Sequence, residues 1–200
     1  MADTLWQKAG NGTLFNLSWL AIVTTSSIVV APVVVAIHLL IHQFWIGLGH
    51  RELLFVIAVS LFGVLLDQIL FAVGLFTVDG SIALAPFWLS CLWPVLATTF
   101  QHAFAGLQQR LLIAAVLGGI GGYGSYRAGT ALSAVEFADP SQGPLIVGAL
   151  WVVLFPALAL AARYWFTVGA DAGEDEADAG YAHPVGNNED IGESSDTPSP

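Results

Sequence analysis

Apolar positions run through this chain in long blocks that polar residues barely interrupt. No Asp, Glu, Lys or Arg occurs in the 37 residues from Thr13 to Gly49. A single helix of that length would be about 55 Å long, against about 30 Å for the hydrocarbon core of a bilayer. The block must therefore fold back on itself, and the "TTSS" cluster at 24–27 with Pro32 after it marks the turn. Further apolar blocks cover Leu53–Phe76, Leu84–Phe104, Leu111–Leu132 and Leu145–Phe166, each about the 20 residues that one crossing needs. The pattern predicts an all-α polytopic membrane protein. A bundle of six transmembrane helices occupies residues 13–168, after a short N-terminal segment (1–12) and before a C-terminal segment (169–200).

Composition sharpens that picture. With 56% hydrophobic and 10% charged residues and a mean hydropathy of +0.74, the chain lies outside the range of soluble domains. Its net charge of -10 is not evenly spread. Nine acids and no Lys or Arg fall in residues 169–200, leaving five basic and six acidic residues before them. The final segment is rich in acid, Gly, Ser and Pro and is predicted to be disordered and solvated. Nothing basic is concentrated enough to attract nucleic acid. Cys91 is the sole cysteine, which excludes an intrachain disulfide and a cysteine metal cage.

Lys8, Arg51, Arg110 and Arg163 all fall on one side of the six predicted spans, whereas Asp79, Glu136 and Asp139 fall on the other. The positive-inside rule then puts both termini, and the acidic final segment with them, in the cytoplasm. Pro32, Pro86 and Pro144 stand at helix starts, where a missing N–H costs nothing. Pro94 and Pro156 lie inside spans and predict kinks. Gly119, Gly121 and Gly124 have the G-x-G-x-x-G spacing, but a membrane helix precedes them and no strand does, so a dinucleotide site is rejected. Ala114, Gly118 and Gly122, and likewise Gly121, Ser125 and Gly129, recur every four residues and predict two faces for close helix contact.

Polar residues at membrane depth are the candidate chemistry. Asp67 sits roughly 13 Å below the outer surface and His38 roughly 12 Å, by helix rise, which predicts an Asp67–His38 pair. Ser60, Gly63 and Gly74 share the face of Asp67 and turn it toward protein. His42 follows His38 at a spacing that can chelate, yet His102 is the only other histidine at that depth, so no metal and no cofactor are expected. Thr98, Thr99 and His102, in "TTFQH", form a second cluster toward the inner side, with Asn16 at a comparable depth. Arg127 is assigned a structural role near the outer end of its span, snorkelling to headgroups or pairing with Glu136 or Asp139.

Several stretches together, "NLSW", "AIHL", "LLD", "LAPFWL", "ATTFQH" and "GGYGSYRAG", resemble the bacterial inner-membrane family catalogued as domain of unknown function 2878. The likeness spans about residues 14–166. It implies a six-span protein of the cytoplasmic membrane with polar positions at Asn16, His38, Asp67, Thr98, Thr99, His102 and Tyr126, while His42 and Arg127 depart from the family pattern. It also implies company with envelope-lipid metabolism. Three readings fit these residues. The first is a small carrier or shelter for a small or lipidic molecule, with a proton-linked Asp67/His38 pair. The second is a membrane-embedded lipid-modifying enzyme using Asp67 or His102, and the third an accessory or assembly protein. The first is preferred, because no nucleophile motif supports an enzyme. The expected partners are the lipid bilayer and that ligand.

Overall fold

Thr4 opens the first helix with a capping box: its hydroxyl accepts from the Gln7 backbone N–H while the Gln7 side chain accepts from the Thr4 N–H. In the computed structural model, which describes residues 4–82 and 84–181, α1 then runs Leu5–Thr25. Ser26 turns left-handed (φ 46°), and the Ser27 hydroxyl accepts from the Val29 and Val30 N–H groups at 3.2 Å. The chain reverses there into α2 (Val30–Trp45), with Pro32 in its first turn. The predicted hairpin is thus present and turns at "TTSS".

Helix α3 (His50–Ala72) ends in a Schellman motif. Gly74, at φ 75°, donates to Phe71 O, and Leu75 donates to Leu70 O. The segment after it corrects the all-α expectation. Phe76–Val78 is a strand, β1, paired antiparallel with β2 (Val135–Phe137) in the register Phe76↔Phe137. Val78 and Ser81 exchange two backbone hydrogen bonds across Asp79-Gly80, both at positive φ, the geometry of a tight primed turn.

The block Leu84–Phe104 is not one helix either. It breaks into α4 (Phe87–Ser90) and α5 (Leu92–Ala97). The chain then winds through i→i+3 bonds, such as His102 N to Thr99 O, into a short 3-10 turn at Ala105–Leu107. Pro94 offers no N–H to Ser90, and the Thr98 and Thr99 hydroxyls take the Val95 and Leu96 carbonyls. Both effects weaken the α ladder. Helix α6 (Leu111–Leu132) matches its predicted block.

Helix α7 runs Gly143–Tyr181, with Pro144 in its first turn and Pro156 inside. Ahead of it, Asp139 accepts from Ser141 and Gln142, and these hydrogen bonds, led by the Ser141 hydroxyl, hold its carboxyl below the usual range. The backbone is helical through the first part of the acidic segment, and residues 182–200, on which the rest of that prediction falls, lie outside the described residues.

Polarity is distributed inside out over residues 4–166. Asn11, His38, His42, Glu52, Asp67, Thr98, Thr99 and His102 are buried, whereas Leu61, Leu65, Leu112, Ile120 and Val153 are exposed. Two helical stretches, His50–Ala72 and Gly143–Thr167, are long and apolar enough to cross a membrane, and Val30–Trp45 and Phe87–Ala97 are shorter apolar helices.

Candidate functional site: an aromatic cavity beside a buried histidine centre

Asp67 is placed by the helix it stands on. One turn earlier, a Cβ on Gly63 would come within 1.8 Å of the Trp93 ring, so only glycine lets the Trp93 indole lie against α3. Its Nε1 then donates to Asp67 Oδ2 at 2.7 Å. Trp93 stacks on Trp151 of α7 (centroids 5.9 Å apart, planes at 14°). Trp151 in turn lies over α6, where a Cβ on Gly122 would come within 2.4 Å of its ring.

These side chains wall a cavity of about 440 Å³. Among the described residues Asp67 is the only charged one that lines it, and Asn16, Ser125 and Tyr126 add a few polar atoms. Toward the sheet, Phe76 stacks on Tyr126 and Phe71, and Phe137 packs on Phe76. Four of the seven tryptophans, Trp19, Trp88, Trp93 and Trp151, line the same space.

The two small-residue faces of α6 have separate uses. Gly118 and Gly122 are buried against α7, where a Cβ on Gly118 would stand 2.6 Å from the Trp151 carbonyl oxygen. Gly121, which is exposed, and Gly129 line the cavity together with Gly118 and Gly122, but a Cβ on Gly121 or Gly129 would meet nothing within 4 Å. The second face thus makes no close helix contact at Gly121 and Gly129, where one was expected.

A separate polar centre links α1, α2, α3 and the residues around the end of α5. Thr98 Oγ1 donates to Val95 O, so it accepts from His38 Nε2 at 3.0 Å, and His38 Nδ1 accepts from the Ser18 hydroxyl at 2.9 Å. His38 is fully engaged by these two hydroxyls. The expected Asp67–His38 pair is thus corrected: Asp67 bonds Trp93 instead, because α5 brings Trp93 to Asp67 but Thr98 to His38.

One turn along α2, His42 lies parallel to His38 at 6.4 Å. Asn11 accepts from the Ala103 N–H (3.3 Å) and points its amide nitrogen at Thr98 O (3.4 Å) and His42 Nδ1 (3.3 Å). That orientation makes Nδ1 the acceptor and leaves the ring proton on Nε2, which meets Glu52 Oε1 at 2.9 Å. His102 Nε2 reaches the same oxygen at 2.8 Å. All three residues are buried, and none of them lines the cavity among the described residues.

The other sequence candidates divide. Thr99 is buried near His102 in chain order and donates to Leu96 O. Asn16 is on the cavity wall, donating to Gly12 O of its own helix, and Asn11 takes the place expected for it in the inner cluster. Tyr126 lines the cavity. Arg127 is exposed and makes no ion pair with Glu136 or Asp139 among the described residues.

Glu52, the centre of the second cluster, escapes a sequence search that counts histidines alone and starts the third span at Leu53, one residue later. The available signal is a lone acid next to Arg51 at the start of an apolar helix. Trp93 and Trp151 escape it as well, since an indole partner for Asp67 has no spacing signature.

A family model described as "Protein of unknown function (DUF2878)" matches residues 8–157. No curated protein and no solved structure matches the chain.

Proposed function

The chain belongs to the DUF2878 family of proteins of unknown function, and we propose that it is a multi-pass protein of the cytoplasmic membrane that shelters or carries a small, mostly apolar molecule in the cavity beside Asp67. The observation that carries this reading is the glycine face of α6 turned toward open space, opposite a wall of tryptophans. A volume of about 440 Å³ is within the 300–1,000 Å³ of small-molecule sites, which are mostly apolar with a few placed polar groups. Asp67 and Tyr126 supply such groups for one polar end of the occupant. Proton linkage in this reading belongs to Asp67 without His38, which Thr98 and Ser18 hold.

Membrane residence is supported by the inverted polarity of the bundle, since an outer surface of exposed Leu, Ile and Val is costly in water and neutral in lipid. Helix lengths agree: α1, α3 and α6 measure about 31, 34 and 33 Å by rise per residue, near the thickness of a bilayer core. In this reading the broken α4–α5 segment is the fourth of six crossings, tolerated because protein surrounds it on the cavity side. The positive-inside arrangement keeps both termini cytoplasmic.

The test is extraction of small molecules from the purified full chain and their identification by mass spectrometry. Wild type is expected to carry an apolar molecule at near one per chain. Gly121→Leu, which fits a side chain into the cavity without touching the α6–α7 contact, is expected to lose it at least tenfold. Equal retention by both chains would remove the cavity from the account.

A further inference from the structure

The cavity leaves the second polar centre without a role. Two imidazoles and a carboxylate from three separate parts of the chain converge there: His42 from α2, Glu52 from the first turn of α3, and His102 from the turns after α5. Their donor atoms all lie within 4.8 Å of one another. We propose that His42, Glu52 and His102 form a site for one first-row divalent cation of the zinc type.

The donor set argues for that class of ion. Two imidazole nitrogens and one carboxylate suit zinc or ferrous iron, whereas magnesium and calcium call for oxygen ligands, of which this site has too few. With metal–ligand bonds of about 2.0–2.2 Å in tetrahedral geometry, neighbouring donor atoms stand about 3.3 Å apart. The nitrogen–oxygen separations here are 2.9 and 2.8 Å and the donor atoms lie within 4.8 Å of one another, so loading opens the first two by about half an ångström and draws the two imidazoles to the same spacing. Three protein ligands leave a fourth position for a water or the second oxygen of Glu52.

Burial makes an ion more than a convenience. A Glu and two His buried together are costly to desolvate unless they are paired or bind a metal. A count of histidines alone excludes a metal, and Glu52 supplies the ligand missing from that count.

The second shell decides how tightly the ion is held. For His42 to ligate through Nε2, its ring proton moves to Nδ1, and Asn11 must then turn its carbonyl oxygen toward that N–H. Doing so gives up the contacts of Asn11 with Thr98 O and the Ala103 N–H. Asn11 is therefore a positioning residue that holds affinity down. Asn11→Asp supplies a permanent acceptor for Nδ1–H and is expected to tighten binding about tenfold, the size of effect that such outer-shell partners have.

The experiment is metal analysis and Zn²⁺ titration of the full chain purified in detergent without chelator, with Co²⁺ as a spectroscopic probe. Wild type is expected to bind one ion per chain, to give the intense visible bands of a tetrahedral Co²⁺ centre, and to melt higher with Zn²⁺ and lower with chelator. Glu52→Gln and His102→Ala are expected to weaken Zn²⁺ at least a hundredfold. The acidic C-terminal segment is common to all these chains, so the difference between them reports the site. Should either variant fail to fold, the wild-type melting shift alone decides. A wild-type chain indifferent to metal and chelator, or one that binds no more Zn²⁺ than Glu52→Gln does, would overturn the proposal. Because this test reads metal and stability only, its failure leaves the cavity reading intact, and the reverse holds too.

Discussion

Glu52→Ala is expected to lower the stability of the folded chain by about 2–5 kcal/mol, the sum for two buried donors left without an acceptor. Its Oε1 accepts from both His42 Nε2 and His102 Nε2, so the change strips two buried N–H groups of their acceptor at once, in a place that water reaches poorly. Glu52→Gln keeps an acceptor oxygen at the same reach and is expected to cost about 1 kcal/mol, the order of one ordinary hydrogen bond. Equilibrium unfolding of the purified chains in one detergent measures both. Near-equal stability of Glu52→Ala and wild type would mean that the cluster holds nothing together.

The second large effect is a contrast between two glycines three residues apart. Gly118→Ala is expected to destabilise by about 1–3 kcal/mol, as overpacking does. The new methyl would stand 2.4 Å from Phe155 Cβ and 2.6 Å from the Trp151 carbonyl oxygen, and a backbone oxygen cannot step aside unless α7 moves. Gly121→Ala meets nothing within 4 Å and is expected to stabilise by up to about 1 kcal/mol through helix propensity alone. Opposite signs at these two positions are what the division of α6 into close contact with α7 at Gly118 and open space at Gly121 requires. The same unfolding measurement reads them, and two changes of the same sign would refute that division.

How much of the fold is legible in the sequence differs from element to element, for physical reasons. The α1–α2 hairpin and α6 are readable because charge-free length and a "TTSS" turn admit little else. The β1–β2 sheet is not, although "VDGS" carries the Asp-Gly signal of a tight primed turn. Strands of three residues, Phe76–Val78 and Val135–Phe137, are too short to show alternation against an apolar background. In the fourth block, Pro94 announces a disturbance, but its extent depends on Thr98 and Thr99 turning their hydroxyls onto carbonyls one turn back, which hydropathy does not register.

The candidate site obeys the same rule. That Asp67 faces protein is visible in the small residues on its side of α3, and that His38, Thr98 and His102 are buried is consistent with their depth. Which of these meet is beyond a depth argument. Two groups at one height pair only if their helices are neighbours and rotated toward each other, and the packing of Trp93 into Gly63 settles that for Asp67. Asn11, a turn and a half from Asn16 on α1, takes the place expected for Asn16 for a similar reason: helix rotation sends Asn11 to the histidines and Asn16 to the cavity.

An apolar molecule in the space between α6, Trp93, Trp151 and Asp67 would lie against several indole rings. The most direct test of that occupancy is tryptophan fluorescence of the full chain titrated with an acyl chain brominated along its length. Trp19, Trp88, Trp93 and Trp151 line the cavity, whereas Trp6 and Trp45 are exposed on the outer surface and are quenched by surrounding lipid in any variant. Wild type is predicted to show a saturable quenching component on top of that background, and Gly121→Leu to lose it. The same saturable component in both chains, or its absence from wild type, would contradict the account.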